Sequence, residues 1–377
     1  MNALTTSSFD LPRLGASFRL VGDFASAEPW GSGHINDTFR ATWGGNGEAR
    51  RYIHQRINDH VFPDPQAVMR NIAAVTCHVR AKLEAAGTDD LDRRVLTLVP
   101  TRDGRDFHVD AEGHYWRTYL FVERSRSVDL MEGTGQAFKA GRAFGEFLVL
   151  LSDYDGPRLV ETIRGFHDTP HRFANFVRAL EADAHGRAAG CRTEASALLA
   201  MEKKAGAIAA LHDRGLLPER IVHNDTKLNN LLLDEETGEP LCVIDLDTVM
   251  PGYALHDFGD LVRTGAARAT EDERDLSKVG VDASLYEALV RGYLSSAGPS
   301  LTKAEKEHLA AGAEIIVLEN ALRFLTDHLE GDVYFRIHRP GHNLDRCRTQ
   351  LAFFHDLEER GDALRRRIEV LAEEATA

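Results

Sequence analysis

Three short β-prone runs, Ile221-Val222, Leu231-Leu232-Leu233 and Leu241 to Leu246, crowd into residues 220–250 of a region that otherwise reads as helical. The first gap between them is His223-Asn224-Asp225-Thr226-Lys227-Leu228-Asn229-Asn230, and the second is the turn Glu235-Glu236-Thr237-Gly238-Glu239. A strand pair of this kind brings polar residues to its mouths. Asp225 follows one strand, Asn230 precedes the next, and Asp245 lies within or just after the third. The chain must therefore fold as a helical body that carries a small strand cluster with carboxylates and an amide at one end.

Those residue types at that spacing are what phosphoryl transfer requires. One carboxylate must sit at the acceptor hydroxyl, while an amide oxygen and a second carboxylate hold magnesium on the nucleotide phosphates. A turn alone also selects Asp and Asn. The combination is more specific: His, Asp and Asn at fixed offsets between two β runs, then Val243-Ile244-Asp245-Leu246-Asp247 after a hairpin.

Residues 1–125 carry strand-and-turn character. Phe18 to Val21, Asn36 to Trp43, Arg51-Tyr52-Ile53, Leu96 to Val99 and Tyr115 to Val122 read as strands, with glycine turns such as Gly44-Gly45-Asn46-Gly47 between them. Val68, Ile72, Val75 and Val79 recur at helical spacing, which predicts a helix over 67–83. From 126 to 377 helices are predicted over 135–152, 171–189, 194–214, 303–329 and 344–375. The expected fold is an α/β (α+β) bilobal, protein-kinase-like one. Its N-terminal lobe, 1–125, is a small antiparallel sheet that binds nucleotide. Its C-terminal lobe, 126–377, is larger, mostly helical, and carries the catalytic loop.

Charge and cysteine content narrow the function classes. With 45 basic against 59 acidic residues the net charge is −14, which disfavours nucleic acid and anionic membranes as partners. The 4 cysteines (Cys77, Cys191, Cys242, Cys347) lack CxxC spacing, so neither a disulfide framework nor a zinc site is expected. With no signal-peptide pattern and no apolar run of membrane-spanning length, a cytoplasmic protein is expected, and a monomer.

At 223–230 the chain resembles the kinase-like phosphotransferases that include aminoglycoside phosphotransferases, choline kinases and homoserine kinases. Within them it is most similar to the bacterial N-acetylhexosamine 1-kinases. The similarity is carried by 223–230, Ile-Asp-Leu-Asp-Thr (244–248), Met-Pro-Gly (250–252), Asp-Phe-Gly-Asp (257–260), Gly-His-Ile-Asn (33–36), His-Asp-Thr-Pro-His-Arg-Phe (167–173) and Leu-Glu-Gly-Asp (329–332). The matching strings run from about residue 18 to 350. The resemblance implies ATP as co-substrate, Mg2+ as cofactor and a small-molecule sugar as acceptor. It makes Asp225 the base or orienting carboxylate, Asn230 and Asp245 metal ligands, Asp247 a further metal-side group, and His223 a brace for the loop.

Gly31-Ser32-Gly33 sits between strand candidates as a phosphate-covering turn would, although Asn36 stands where a third glycine is usual. The third strand reads Arg51-Tyr52-Ile53-His54-Gln55-Arg56, which puts Gln55 where kinases carry a phosphate-binding lysine. Either Gln55 makes neutral hydrogen bonds there, or Arg56 or Arg70 supplies charge. Phe121-Val122-Glu123 is the expected hinge, with Glu123 near the adenine. On the acceptor side, Glu319, Arg323 and Asp327 recur every four residues, either as ion pairs on a solvated face or as a polar row toward the substrate. The resemblance implies sugar contacts from His34, Asp225, Asp260, Arg263, Arg323 and Tyr334. Two other outcomes are carried forward: a related kinase acting on another sugar, an amino alcohol or an aminoglycoside, and a non-catalytic nucleotide-binding module.

Overall fold

A computed structural model describes residues 9–31, 35–45 and 48–374. The chain divides into two compact units. The first is the described part up to Ser125, joined by Gly156–Ile163 and Leu246–Thr248; the second is Arg126–Asp155, Arg164–Asp245 and the chain from Val249 onward.

The first unit is built on antiparallel strands β1 (Asp23–Pro29), β2 (Asp37–Gly45), β3 (Glu48–Arg56), β4 (His108–Val109) and β5 (Tyr115–Leu120), in the order β1-β2-β3-β5-β4. Successive side chains alternate faces. In β2 this sends Phe39, Ala41 and Trp43 inward, where they pack with Leu11, Leu14, Phe18, Tyr52 and Trp116. The helix Pro65–Ala85 starts where the Asp64 side chain accepts the backbone N–H of Ala67 at 2.9 Å. Its Val68, Ile72, Val75 and Val79 are buried, as their spacing implies. Two expected strands form only isolated bridges, Phe18 with Thr101 and Leu98 with Tyr119. The strand that precedes the glycine turn is instead β1, an edge strand made largely of exposed positions and held by the ladder to β2. Its residues have little β pattern because they bury little.

The second unit is mostly helical around one apolar cluster that includes Phe144, Phe258, Leu289, Tyr293, Leu318, Leu322 and Phe354. The strand Arg220–Val222 pairs with Met250–Gly252, and Leu231–Asp234 forms a hairpin with Pro240–Val243. Helix Ala254–Gly265 buries Leu255, Phe258, Leu261 and Val262, and also His256, Asp257, Asp260 and Arg263. Such polar burial needs partners and marks the helix as part of a site. This helix crosses Lys303–Leu329 backbone to backbone: a Cβ on Gly259 would meet Gly312 O at 2.4 Å, and one on Gly312 would meet Leu255 O at 2.4 Å. That approach brings Asp257 and Glu319 onto neighbouring surfaces. The long helix opens with a capping box, Glu305 N donating to Thr302 Oγ1 at 3.2 Å and Thr302 N to Glu305 Oε2 at 2.7 Å. Glu305 also binds Arg220 at 2.6 and 2.8 Å, tying the helix start to the strand that leads into His223.

Some helices are shorter than their composition suggests. The 194–214 run breaks into Arg192–Leu199, Glu202–Ala205 and Ala207–Asp213, and Gly206 interrupts it. The 344–375 run breaks at Arg360, and the 171–189 run ends at Ala182, where Asp183 turns left-handed (φ 36°). Asp183 Oδ1 then accepts the N–H groups of Arg187 and Ala188 at 2.7 and 2.9 Å. The class is the expected one: an antiparallel sheet unit followed by a larger, mostly helical one. All 4 cysteines are free thiols, and no described helix is long and apolar enough to cross a membrane.

Candidate active site

The segment from His223 to Asn230 is held through several of its backbone groups, above all at its start. The carboxylate of Asp257 accepts the N–H groups of His223 and Asn224 at 2.9 and 2.7 Å, and the Asp257 carbonyl accepts the Thr226 hydroxyl. His223 donates from Nε2 to Ile244 O at 2.9 Å and accepts Asp225 N–H on Nδ1 at 3.2 Å, so both ring nitrogens brace the loop. Asn224 and Asp245 both have left-handed backbones, φ 63° and 62°. For residues other than glycine this stores strain and is sustained only where the surroundings over-determine it.

Asp225 lies on this rigid loop with its side chain 26% exposed. Lys227 Nζ is 2.7 Å from its Oδ2, and Asn230 Nδ2 donates to the same oxygen at 3.0 Å. Burial alone would raise the Asp225 pKa, but the Lys227 ammonium outweighs it and holds the carboxyl below the usual carboxylate range. Lys227, which the sequence expectations left without a role, is correspondingly held protonated. Its Nζ also lies 3.9 Å from Asp245 Oδ2. Asp225 and Asp245 thus share one ammonium group, and Asn230 joins them through its bond to Asp225.

The donor set suits magnesium. Because Asn230 Nδ2 is committed to Asp225 Oδ2 and O, its amide oxygen is the atom left for a cation. Asp245 adds a carboxylate with a side chain 38% exposed. Hard oxygen donors of this kind, few in number and with room for water and phosphate oxygens, are the Mg2+ pattern. Asp247 has other partners: Arg117 binds both its oxygens, through Nη1 to Oδ1 and Nη2 to Oδ2 at 3.0 Å, and Asn36 Nδ2 donates to Oδ2 at 2.6 Å.

Asp260 and Arg263 pair with each other, Nε to Oδ1 at 2.7 Å, and both are buried. Arg263 also binds Glu271. Asp260 Oδ2 has no hydrogen-bond partner among the described residues. Both groups bear electrostatically on the loop, Arg263 on Asp225 and Asp260 on Lys227.

The every-fourth-residue row on the long helix divides into three separate tasks. Glu319, fully buried, accepts His167 Nδ1 on Oε1 at 2.7 Å and the Thr169 hydroxyl on Oε2 at 2.7 Å. Asp327 accepts the backbone N–H groups of Val333, Tyr334 and Phe335 at 2.8, 2.8 and 2.9 Å and Asn343 Nδ2 at 2.8 Å. It therefore shapes the loop that presents Tyr334. Arg323 packs its guanidinium among Phe166, Tyr334 and Phe335, 5.2, 5.7 and 5.3 Å from the ring centres. With Arg172, Asn175 and Tyr334 it lines a cavity of about 110 Å³. Arg172 donates to Phe166 O at 3.3 and 3.0 Å, and its pKa is lowered by burial and then by the nearby Arg323.

In the sheet unit, Gln55 uses both ends of its amide: Nε2 donates to Thr38 Oγ1 at 3.0 Å, and Oε1 accepts Arg117 Nε at 2.9 Å. The two face each other across β3 and β5. Arg56 is taken by Asp37, and Arg70 reaches Asp64 at 3.6 Å on the surface. Among the described residues of this unit, the buried cation is Arg117. Its signal in the sequence is an arginine inside Tyr-Trp-Arg-Thr-Tyr-Leu, a strand buried at nearly every position, where a charge requires a counter-ion. Glu123 pairs with Arg51, Nε to Oε1 at 3.0 Å, and its carbonyl accepts Arg93 Nε at 2.9 Å. Gly31 is exposed with φ 81°. The expected nucleotide residues Ser32 and Gly33, and the expected sugar contact His34, lie outside the described residues.

Comparison with known proteins gives the same class. Among solved structures, a microcompartment-associated aminopropanol kinase aligns over 94% of this chain and 97% of its own, with TM-score 0.55 and 19% identity. An aminoglycoside phosphotransferase from Alicyclobacillus acidocaldarius aligns over 98% of both chains, with TM-score 0.58 and 13% identity. A spectinomycin phosphotransferase in complex with ADP and spectinomycin aligns over 95% of this chain and 98% of its own, with TM-score 0.56 and 11% identity. At these identities the likeness is one of fold. The sequence itself matches the model of the phosphotransferase enzyme family over residues 26–304, and the chain belongs to that family.

Proposed function

We propose that the protein transfers the γ-phosphate of ATP to the C1 hydroxyl of an N-acetylhexosamine. The observation that carries phosphotransfer is Asp225: an ionised, partly exposed carboxylate on an over-determined loop, with Asn230 and Asp245 gathered beside it. Asp225 orients the acceptor hydroxyl and takes up its proton as the acceptor oxygen bonds to the γ-phosphorus and the bond from that phosphorus to the bridging oxygen breaks, releasing ADP. A carboxylate held this acidic is a weak base, which suits a loose transition state in which little proton transfer is needed early. A hemiacetal hydroxyl is more acidic than an ordinary alcohol and lessens the demand further. Asn230 and Asp245 would hold Mg2+, which supplies charge neutralisation on the phosphates. Gly31, Ser32, Gly33, Gln55 and Glu123 are the proposed nucleotide side.

The choice of acceptor rests on the strings shared with N-acetylhexosamine kinases and on the hydrogen-bond donors of the cavity. Arg172 and Arg323 line the acceptor cavity, and the Arg323 charge has no carboxylate within ion-pair distance among the described residues. Asp327 and Glu330 line the same cavity, so its charge is balanced and does not select against a protonated amine. What the two guanidinium groups offer is N–H donors for an oxygen-rich ligand with an acetamido carbonyl. His34, Asp260, Arg263, Arg323 and Tyr334 are the proposed sugar side, with Arg323 and Tyr334 foremost.

The test is product NMR with Mg-ATP and N-acetylglucosamine or N-acetylgalactosamine, run beside choline, aminopropanol, homoserine and an aminoglycoside. Phosphate coupled to an anomeric proton supports the reading. Phosphate appearing only on an amine-bearing acceptor replaces it with the second reading, an amino-alcohol or aminoglycoside kinase.

A further inference from the structure

His167 has no part in the chemistry proposed above, yet it is packed against the segment that carries it. It lies just before helix Thr169–Ala182, whose first turn is capped by Asp168 accepting His171 N at 3.0 Å. Its side chain is 7% exposed, and both ring nitrogens face oxygens: Nδ1 is 2.7 Å from Glu319 Oε1, and Nε2 is 2.9 Å from the backbone carbonyl of Asn224. A carbonyl oxygen only accepts, and so does an ionised carboxylate. Both contacts are hydrogen bonds only while the ring carries two protons. The second oxygen of Glu319 takes the Thr169 hydroxyl, which completes the carboxylate.

Asn224 is the residue before Asp225, and its left-handed backbone is held from both sides. Its N–H goes to Asp257 Oδ1 at 2.7 Å, and its carbonyl receives His167. The direction in which Asp225 leaves the turn therefore depends on a hydrogen bond from an imidazolium.

We infer that the buried His167–Glu319 pair is a positioning device for Asp225, fixing the Asn224 turn through a charged N–H that only the doubly protonated ring supplies. This rests on the reading of Asp225 as the acceptor-side carboxylate. His167 touches no reacting atom in it; it acts through Asn224.

The groups around the ring support a charged pair. From helix Lys303–Leu329 come Glu319 and Arg323. From helix Ala254–Gly265 come His256, its ring tilted at 46° to that of His167 with 4.7 Å between centres, and Asp257. Arg172 bears on Glu319 from helix Thr169–Ala182. Burial disfavours the charge on His167, but Glu319 overcomes it and raises the pKa, while burial and then the His167 charge push His256 down to about 3. His256, with neither ring nitrogen hydrogen-bonded among the described residues, is thus a neutral neighbour of the imidazolium. Since the folded pKa of His167 is raised, the device is in place at and below the ordinary histidine value and is lost as pH rises through the folded one. kcat should fall on the alkaline side for this reason.

The experiment combines two readouts on the full chain. In the first, 15N-histidine NMR with H167Q as the assignment control should show a ring with both nitrogens protonated at pH 7.5; a ring that titrates near 6.5 overturns the inference. In the second, kcat and KM are measured across pH for wild type, H167F, H167Q and H167Q/E319Q, using whichever acceptor of the panel wild type phosphorylates. H167F should lose about 10- to 100-fold in kcat, the scale of a slightly misplaced catalytic group, with KM for Mg-ATP within about 2-fold. The double variant keeps a neutral amide donor to Asn224 and should regain part of kcat with the alkaline fall abolished. A wild type that turns over, with H167F matching its kcat and pH profile, overturns this inference alone. A wild type that phosphorylates no hydroxyl acceptor overturns the reading of Asp225 and this inference together. If H167F does not fold, the double variant and the NMR readout decide.

Discussion

Replacing Arg117 with leucine should destabilise the protein strongly, and adding D247N should restore a good part of the loss. The Arg117 and Asp247 side chains are 1% and 3% exposed. Arg117 spends Nε on Gln55 at 2.9 Å and both terminal nitrogens on Asp247, which Thr162 further anchors by donating to its backbone carbonyl at 2.7 Å. Without Arg117, a buried carboxylate keeps, among the described residues, one neutral side-chain donor, Asn36. Removing one partner of a buried pair costs about 3–5 kcal/mol, most of it from the charge left behind. D247N removes that charge, so a coupling of about 2 kcal/mol is expected between the two positions. Urea unfolding of wild type, both single variants and the double variant measures it, provided far-UV circular dichroism and tryptophan fluorescence give coincident transitions. An R117L loss below about 1 kcal/mol, or a double variant no more stable than R117L, would refute the reasoning. The same set separates two roles for Asp247. As the Arg117 counter-ion it should affect stability, with the magnesium dependence of turnover unchanged in D247N; a large rise in the magnesium requirement would restore it as a metal-side group.

K227M removes the cation that depresses Asp225, so burial should then raise the carboxyl pKa. Below its pKa the group is protonated, and the kcat–pH profile of K227M should show an acid limb at higher pH than wild type; superimposable profiles would deny the coupling. G312A places a methyl group 2.4 Å from Leu255 O at the helix crossing and should cost about 1–3 kcal/mol or more, read as a lower unfolding midpoint. R323M should raise KM for the acceptor about 10-fold or more while leaving KM for Mg-ATP unchanged, because a pocket-lining hydrogen-bond donor is lost on one substrate only; equal changes in both constants would place Arg323 outside the acceptor site.

Much of the fold was legible because its signals are local. Valine spacing marked the helix Pro65–Ala85, and the β runs at 220–250 with their glycine turn marked the hairpin. The clustering of Asp225, Asn230 and Asp245 follows from that hairpin. What was not legible depends on partners distant in sequence. Arg117 meets Gln55 across the sheet and Asp247 from much later in the chain, so Gln55 reads as a missing lysine until the strand beside it is known. The row Glu319, Arg323 and Asp327 has the spacing of surface ion pairs, but its members are directed to His167, to three aromatic rings and to the loop 333–335. Asp257, the anchor of the catalytic segment, is a helix residue whose role appears only when that helix lies against His223. Edge strand β1 was missed for the opposite reason: it buries too little to leave a pattern.

The most direct test of the central claim is phosphoryl transfer from ATP by wild type and D225N under identical magnesium, with N-acetylglucosamine and N-acetylgalactosamine as acceptors and unfolding midpoints measured in parallel. Wild type is expected to form the sugar 1-phosphate, and D225N to lose about 100-fold or more in kcat while remaining folded, the scale of a positioned acid–base group. A folded D225N that turns over near the wild-type rate would contradict the account at its core.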